Sequence, residues 1–271
     1  MLLLDEGRKV RIKAMKKIAP ARDVNALDAR MREKYGLQSD ILIEKASRLM
    51  YDDIKNLLQD RKTLFLVGKG NNGSDALSVA LFAKSDGLDV TVYYLSPDGC
   101  PENLERRDRA RRAGIPSTDD IDGYDCYVDG LIGAAFRLPL YEDVQALIDE
   151  VNAMDALRIS VDIPSGLQFH ADRTVVFSMH KRESFLHGNR LSLGSYALYN
   201  PGFPEEELSD FSTTSFLLED SDYDVSSFKG SDYKNSRGHV GILGGSERYT
   251  GAAILAARSA FHAGRIPSYA Y

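Results

Sequence analysis

Leu64-Phe65-Leu66-Val67-Gly68-Lys69-Gly70-Asn71-Asn72-Gly73-Ser74-Asp75 is the stretch on which the fold turns. Its four leading apolar residues run without polar alternation, as a strand does when helices cover both of its faces in a parallel sheet. The glycines that follow satisfy G-x-G-x-x-G, and apolar spacing predicts a helix from Asp75 to Lys84. Strand, glycine-rich turn and helix in that order open a βαβ unit. Glycine has no Cβ, so such a turn admits positive φ and lets backbone amides approach a pyrophosphate. The helix beyond it directs its dipole and free N–H groups at the anion. A tight strand-to-helix turn without a ligand has the same spelling, and the motif alone leaves both open.

Outward from this stretch the alternation continues. Strands are expected at Val90 to Leu95, Tyr124 to Asp129 and Arg158 to Ile163, separated by helices from Pro101 to Ala113 and Tyr141 to Met154. Further strands at Thr174 to Phe177 and Ser195 to Leu198 extend the same sheet. Ahead of the series, Ala21 to Tyr35 and Ser39 to Asp60 carry apolar residues at helical spacing, with Ser39 placed as an N-cap. The fold class is therefore α/β with a mostly parallel sheet. Right-handed crossovers gather the strand ends along one edge, where open sheets of this kind bind ligands.

From Glu205 to Lys234 the composition turns acidic and serine-rich, which reads as a linker or wrapping segment. Beyond it, His239 to Leu243 is a strand, Gly244-Gly245-Ser246 a turn and Thr250 to Ala263 an alanine-rich helix. This is one unit of a second α/β domain, too small to bury a core alone. It is expected to dock on the first domain, to be disordered, or to belong to a longer chain.

Bulk properties narrow the partners. The 271 residues are 43% hydrophobic and 27% charged, enough for a sizeable core. A net charge of -6 with pI near 5.5 argues against nucleic-acid binding through overall charge. No apolar run reaches membrane-span length, and Met1-Leu2-Leu3-Leu4 meets Asp5 and Glu6 at once, unlike a signal peptide, so a cytoplasmic protein with a small-molecule partner is expected. Cys100 and Cys126 lack metal-site spacing and read as plain buried or half-buried thiols, and the five histidines show no ligand spacing either. Arg106-Arg107-Asp108-Arg109-Ala110-Arg111-Arg112 reads as a solvated helix face rather than an RNA site.

An ordinary dinucleotide dehydrogenase carries an acid at the end of its second strand for the ribose hydroxyls. Here that strand ends Val92-Tyr93-Tyr94-Leu95-Ser96, with no carboxylate before Asp98, which weakens an NAD(P)-dependent oxidoreductase. Acids stand instead at two other strand ends: Asp129, before the Gly130 to Gly133 loop, and Asp162, in Val161-Asp162-Ile163-Pro164-Ser165-Gly166. Either is capable of a purely structural, capping role. Together with the asparagines they suggest a site in which Asn72, Asp129 and Ser165 present hard oxygens to an alkali or alkaline-earth cation while Asp162 moves protons.

In these segments the chain resembles the YjeF N-terminal domain family, the NAD(P)H-hydrate epimerases. The likeness rests on Val67 to Asp75, on Val128-Asp129 with its glycine loop and on Val161 to Leu167, with support from Leu42-Ile43-Glu44-Lys45-Ala46 and Ala171 to Phe177. It spans about residues 15 to 205. It implies a Rossmann-like three-layer sandwich and interconversion of R- and S-NADHX or NADPHX, the forms hydrated at nicotinamide C6. By motif position Asn71, Asn72, Gly73, Ser74 and Asp75, with Gly133, Ala134, Ala135, Phe136, Arg137, Leu138 and Pro139, would line the dinucleotide. Asn72, Asp129 and Ser165 would hold potassium, and Asp162 would contact the substrate. A homodimer or higher homo-oligomer is implied as well. Gly238 to Ser246 and Tyr249 to Arg258 resemble the opening of the YjeF C-terminal domain, a ribokinase-like dehydratase. Residues 1–228 are thus assigned to the epimerase domain and 229–271 to the incomplete start of the second, whose ADP- or ATP-binding and catalytic segments are absent.

The chain departs from the family at Ser74 and Ala76, which stand for glycines and add a Cβ in the loop, and at Gly133-Ala134-Ala135, where the family has G-T-G. After Leu167 the family's acidic, glycine-containing loop is missing. Lys181 is expected as a surface lysine, with reach to the substrate phosphates as the alternative. Because similar domains serve as scaffolds, a non-catalytic nucleotide- or RNA-binding module is the competing function. Retention of Asn72, Asp129, Asp162 and Ser165 stands against it.

Overall fold

The computed structural model describes residues 16–134, 136–186, 188–219, 231, 238–246, 248–263 and 266–270. The chain divides into two compact units, Met1–Leu218 and Glu219–Tyr271. In the first, the elements run β1 (Lys16–Ala19), α1 (Ala21–Tyr35), α2 (Ser39–Leu58), β2 (Thr63–Val67), α3 (Asn71–Ser85), β3 (Val90–Tyr94), α4 (Pro101–Arg112), β4 (Cys126–Gly130), α5 (Glu142–Ala153), β5 (Leu157–Val161), β6 (Arg173–Phe177), β7 (His180–Lys181), β8 (Ser195–Tyr199), α6 (Glu205–Ser209) and β9 (Ser215–Leu217).

Six strands form one sheet in the order β3-β2-β4-β5-β6-β8, every neighbouring pair parallel. All five residues of β2 are buried, and their alternation divides the core into two. Phe65 and Val67 face α2 and α3, where Met50, Tyr51, Ile54 and Leu77 meet Val128 and Ile159. Leu64 and Leu66 face the other side, where Val144, Leu147, Ile148 and Val151 of α5 meet Tyr127 and Phe169. Period two within the strand thus supplies both faces, and helices on each side complete a three-layer sandwich. Since burial of one such side chain contributes about 1.5–3 kcal/mol, the apolar run commits β2 to the interior.

In register, Val67 lies beside Gly130 on β4 and Tyr94 on β3, while Val161 lies beside Val175. The carboxyl ends of the strands therefore share one edge. Ser39 is the first residue of α2 and Gln38 its extended N-cap, without a side-chain capping bond. α1 ends at Gly36, which takes the left-handed conformation at φ 65°, its N–H reaching Arg32 O at 3.1 Å.

A second, small sheet was not anticipated. β1 pairs parallel with β7 and antiparallel with β9. The segment read as a linker from Glu205 therefore supplies both α6 and β9, while residues 220–230 and 232–237 lie outside the described ones. The arginine run also differs from expectation at its first member. Arg106 is fully buried, donating to Ser78 Oγ at 2.7 Å, Asp40 Oδ1 at 2.5 Å and Glu102 O at 3.2 Å, because α4 packs this position onto α3. Arg109, Arg111 and Arg112 are exposed and paired with Glu105 and Asp108. Cys126 is buried and Cys100 half-buried, both as free thiols.

In the second unit, β10 (His239–Leu243), α7 (Gly251–His262) and β11 (Ile266–Ala270) form a βαβ arrangement with a parallel pair. Among the described residues no helix is long and apolar enough to cross a membrane.

Candidate active site

At the carboxyl edge of the six-stranded sheet lies a cavity of about 910 Å³, within the size range of small-molecule sites. Its floor is the loop Lys69–Asn72 with Asp75, and its walls are Leu131 to Ala134, Asp162, Phe177, Ser178, Lys181 and one face of α1. α3 begins at Asn71, four residues earlier than expected, so both asparagines belong to its first turn and its N-terminal end opens on the cavity.

The glycines of the loop have separate duties, and none has positive φ as the motif suggested. A Cβ on Gly68 would stand 1.8 Å from Leu131 O, and one on Gly73 would stand 2.1 Å from Gly68 O. Gly68 thus lies against the segment that follows β4, and Gly73 closes the loop on its own backbone. A Cβ on Gly70 would meet nothing within 4 Å, and Gly70 lines the cavity. Asn103 of α4 props the turn from behind, its Nδ2 donating to Gly68 O at 3.1 Å. Ser74 and Ala76 are fully buried and absent from the cavity wall, Ser74 Oγ bonding to Gly70 O at 3.3 Å and Ala76 packing toward Gly130. The two substitutions thus place their side chains in the protein rather than where a ligand would approach.

Asp129 at the end of β4 is fully buried and receives four bonds. Ser165 Oγ reaches Oδ1 at 2.6 Å and Ser165 N reaches Oδ2 at 2.8 Å, while Leu131 N and Ser160 Oγ each approach at 3.1 Å. Burial raises its carboxyl above the usual range, and these bonds pull it back. Asn72 lines the cavity, and its buried Nδ2 has no partner among the described residues. That orphan is a nitrogen, which seeks an acceptor, while Asp129 and Ser165 are absent from the cavity wall and bonded to one another, so of the three residues expected to hold a cation only Asn72 faces the cavity. Among the described residues no three His, Cys, Asp or Glu side chains gather as a transition-metal site would require.

Asp162 follows β5 at φ 63°, with Ile163 N bonded back to Val161 O at 2.7 Å. Ser178 repeats the geometry after β6, at φ 66° with Met179 N to Phe177 O at 2.7 Å. Two neighbouring strands therefore end in γ-turns of the strained, positive-φ kind, and both turn residues face the cavity. Lys181 is buried, 3% exposed, and is not the surface lysine expected from sequence. Its ammonium pairs with Asp162 Oδ1 and donates to Phe177 O at 2.8 Å, while Phe177 N donates to the same Oδ1 at 3.1 Å. Burial next to that carboxylate is what retains the lysine.

Three further acids line the cavity, Asp28, Asp75 and Asp143. Burial pushes Asp75 well above the carboxylate range, and Asp162 adds to the rise, while Arg106 and the Ser47 hydroxyl oppose it. Burial likewise pushes Asp28 on α1 up to about 6. Sequence reasoning passed over Asp28 because it occupies an ordinary polar position of an amphipathic helix. Asn103 was missed for the same reason.

Of the residues assigned to the dinucleotide, Asn71, Asn72, Asp75, Gly133, Ala134 and Asp162 line the cavity, while Gly73 and Ser74 lie buried beneath it. Phe136 to Pro139 do not line it; Leu138 and Pro139 border a separate shallow groove beside α5. Ala135 lies outside the described residues.

Comparison with known proteins identifies the site's lineage. Residues 39–181 match the family described as YjeF-related protein N-terminus, more than half of the chain. The chain belongs to this family. A bifunctional NAD(P)H-hydrate repair enzyme of Archaeoglobus fulgidus is 30% identical over 259 residues, covering 90% of this chain and 53% of that protein. An NAD(P)H-hydrate epimerase of Rhodopirellula baltica is 27% identical over 215 residues, covering 70% of this chain and 86% of that one. The chain thus spans about half the length of the bifunctional relatives. The crystal structure of yeast ynu0 shares the fold of the YjeF-related unit, with TM-score 0.63 at 18% identity, covering 76% of this chain and 98% of that one.

Proposed function

We propose that the chain epimerises R- and S-NAD(P)HX at nicotinamide C6 as a step of metabolite repair. The reading is carried by one observation: in a member of this family, the asparagine loop, Asp75 and the Asp162–Lys181 pair line a single cavity. Configuration at C6 is lost when the hydroxyl leaves with assistance from the ring nitrogen, and regained when water returns. Asp162, on the cavity wall beside Lys181, is the carboxylate we assign to proton transfer and to stabilising the cationic intermediate. The N-terminal turn of α3 suits the pyrophosphate. Asn72, Asp129 and Ser165 are the residues that motif position assigns to potassium, though only Asn72 of the three faces the cavity. We assign residues 1–228 to this activity, in a cytoplasmic homodimer. Residues 229–271 we assign to the start of a ribokinase-like dehydratase domain, in accord with the bifunctional relative's alignment over 90% of the chain.

R-NADHX supplied with an S-specific dehydratase is consumed slowly by spontaneous epimerisation. Adding this protein is expected to accelerate consumption to completion. Absence of acceleration by folded protein would favour the scaffold instead.

A further inference from the structure

α1 presents one face to the cavity, through Val24, Asn25, Asp28 and Arg32, while Leu27 and Met31 anchor its opposite side in the core. The helix is held at both ends, Ala21 N donating to Glu183 Oε2 at 3.0 Å and Tyr35 OH to Glu207 Oε1 at 2.8 Å. Asp28 is therefore a fixed wall residue. Four aspartates line the cavity, and three of them, Asp28, Asp75 and Asp162, act on one another electrostatically, with the ammonium of Lys181 paired to Asp162 and acting on Asp28. That ammonium is already committed to Asp162 and to Phe177 O. Arg32, the other cation beside Asp28, is exposed and donates to Ser39 Oγ at 3.0 Å. Among the described residues Asp28 accepts no hydrogen bond and forms no ion pair, so its carboxyl alone of the three keeps its oxygens for a ligand.

We propose that Asp28 is a second proton-transfer group of this site, giving a proton to the hydroxyl leaving nicotinamide C6 while Asp162 takes one from the water that returns. The inference rests on the epimerase reading. The division of labour follows from the partners. Asp162, clasped by Lys181 and Phe177 N–H, takes the cationic ring and the proton of the incoming water, and unpaired Asp28 takes the departing hydroxyl. In the step, the C6–O bond breaks with its electron pair going to oxygen, Asp28 protonates that oxygen, and the N1 lone pair closes a C6–N1 double bond. Water then attacks C6 from the other face, its proton passes to Asp162 and the π pair returns to N1; the reverse reaction uses the two carboxyls in exchanged roles. Nothing is oxidised and nothing reduced. Burial first, then Asp162, hold the Asp28 carboxyl up, to about 6, against the pull of Lys181 and Arg32, and Asp75 across the cavity is coupled to it. A group poised near the working pH is what acid–base exchange requires.

The test compares the full chain with Asp28→Asn by kcat/KM on R-NADHX between pH 5.5 and 8. The wild-type value is expected to fall as pH rises through about 6, where the free enzyme loses its acid form. Asp28→Asn is expected to lose about a hundredfold and that decline with it, at an unchanged thermal midpoint, and Asp28→Glu to recover part of the rate. A rate within twofold of wild type, or a persisting decline near pH 6, overturns the inference and leaves the epimerase reading standing. Inactive wild-type protein ends both, and shows itself before any substitution. Carboxyl carbon-13 titration of the wild-type chain gives an independent reading: Asp28 titrating near the usual carboxylate value would also overturn it.

Discussion

Gly68 and Gly70 stand two residues apart in one loop and answer to different constraints. At Gly68 the excluded neighbour is backbone, Leu131 O at 1.8 Å from a would-be Cβ, which has no flexible end to swing away. Gly70 has open space at that point, and its φ of -101° and ψ of -166° are extended values that any residue adopts. Gly68→Ala is expected to cost about 3 kcal/mol through forced displacement of the β4 loop. Gly70→Ala should change stability by less than about 1 kcal/mol, the entropy gained offsetting the poorer N-cap. If the open space is ligand space, Gly70→Ala weakens NADPHX binding about tenfold, or about 1.4 kcal/mol. Denaturant melts and calorimetric titration read the two effects apart. A Gly70→Ala chain that binds as wild type would move the ligand elsewhere in the cavity.

At the scale of elements, the six-stranded sheet was legible because its signal is local. A run such as Leu64 to Val67 has few homes other than a strand buried on both faces, and the residue types at the ends of β2, β4 and β5 marked the edge. What escaped depends on pairings distant in sequence: β1 with β7 and β9, with Thr213 Oγ1 donating to Ile18 O at 2.7 Å. Strands of two to four residues leave no periodicity to read. Lys181 was misjudged through the same gap, since its burial follows from β7 lying against β1, and Asp28 because α1 looked like a surface helix. This small sheet and α1 carry two of the cavity's charged walls from outside the six-stranded sheet, on core clusters smaller than those that flank it. Their amides are expected to exchange with solvent faster than those of β2, β4 and β5, and a bound dinucleotide should slow exchange in α1 and β7 peptides together with the Asn71–Asp75 turn. Protection confined to that turn, in hydrogen-exchange mass spectrometry, would exclude α1 from the ligand's environment.

For the whole molecule, every residue lining the cavity falls between Val24 and Phe203, inside the unit that ends at Leu218. The second unit, Glu219–Tyr271, has a different balance. Among its described residues are one parallel strand pair and one twelve-residue helix, with Leu243 85% exposed, Leu255 65% and Phe261 70%. A unit of that size buries too little apolar surface to offset the entropy of its own ordering by a useful margin. Contiguous exposed apolar residues also favour association between chains. A chain ending at Leu218 is therefore expected to retain the epimerase kcat/KM within about twofold and its thermal midpoint within about 3 °C, a shift that corresponds to about 1 kcal/mol in a domain this large. It should also scatter less light than the full chain at high concentration. A tenfold loss of activity with the fold intact would mean that residues beyond Leu218 take part in the site, and the boundary between repair activity and tail would have to move toward the C-terminus.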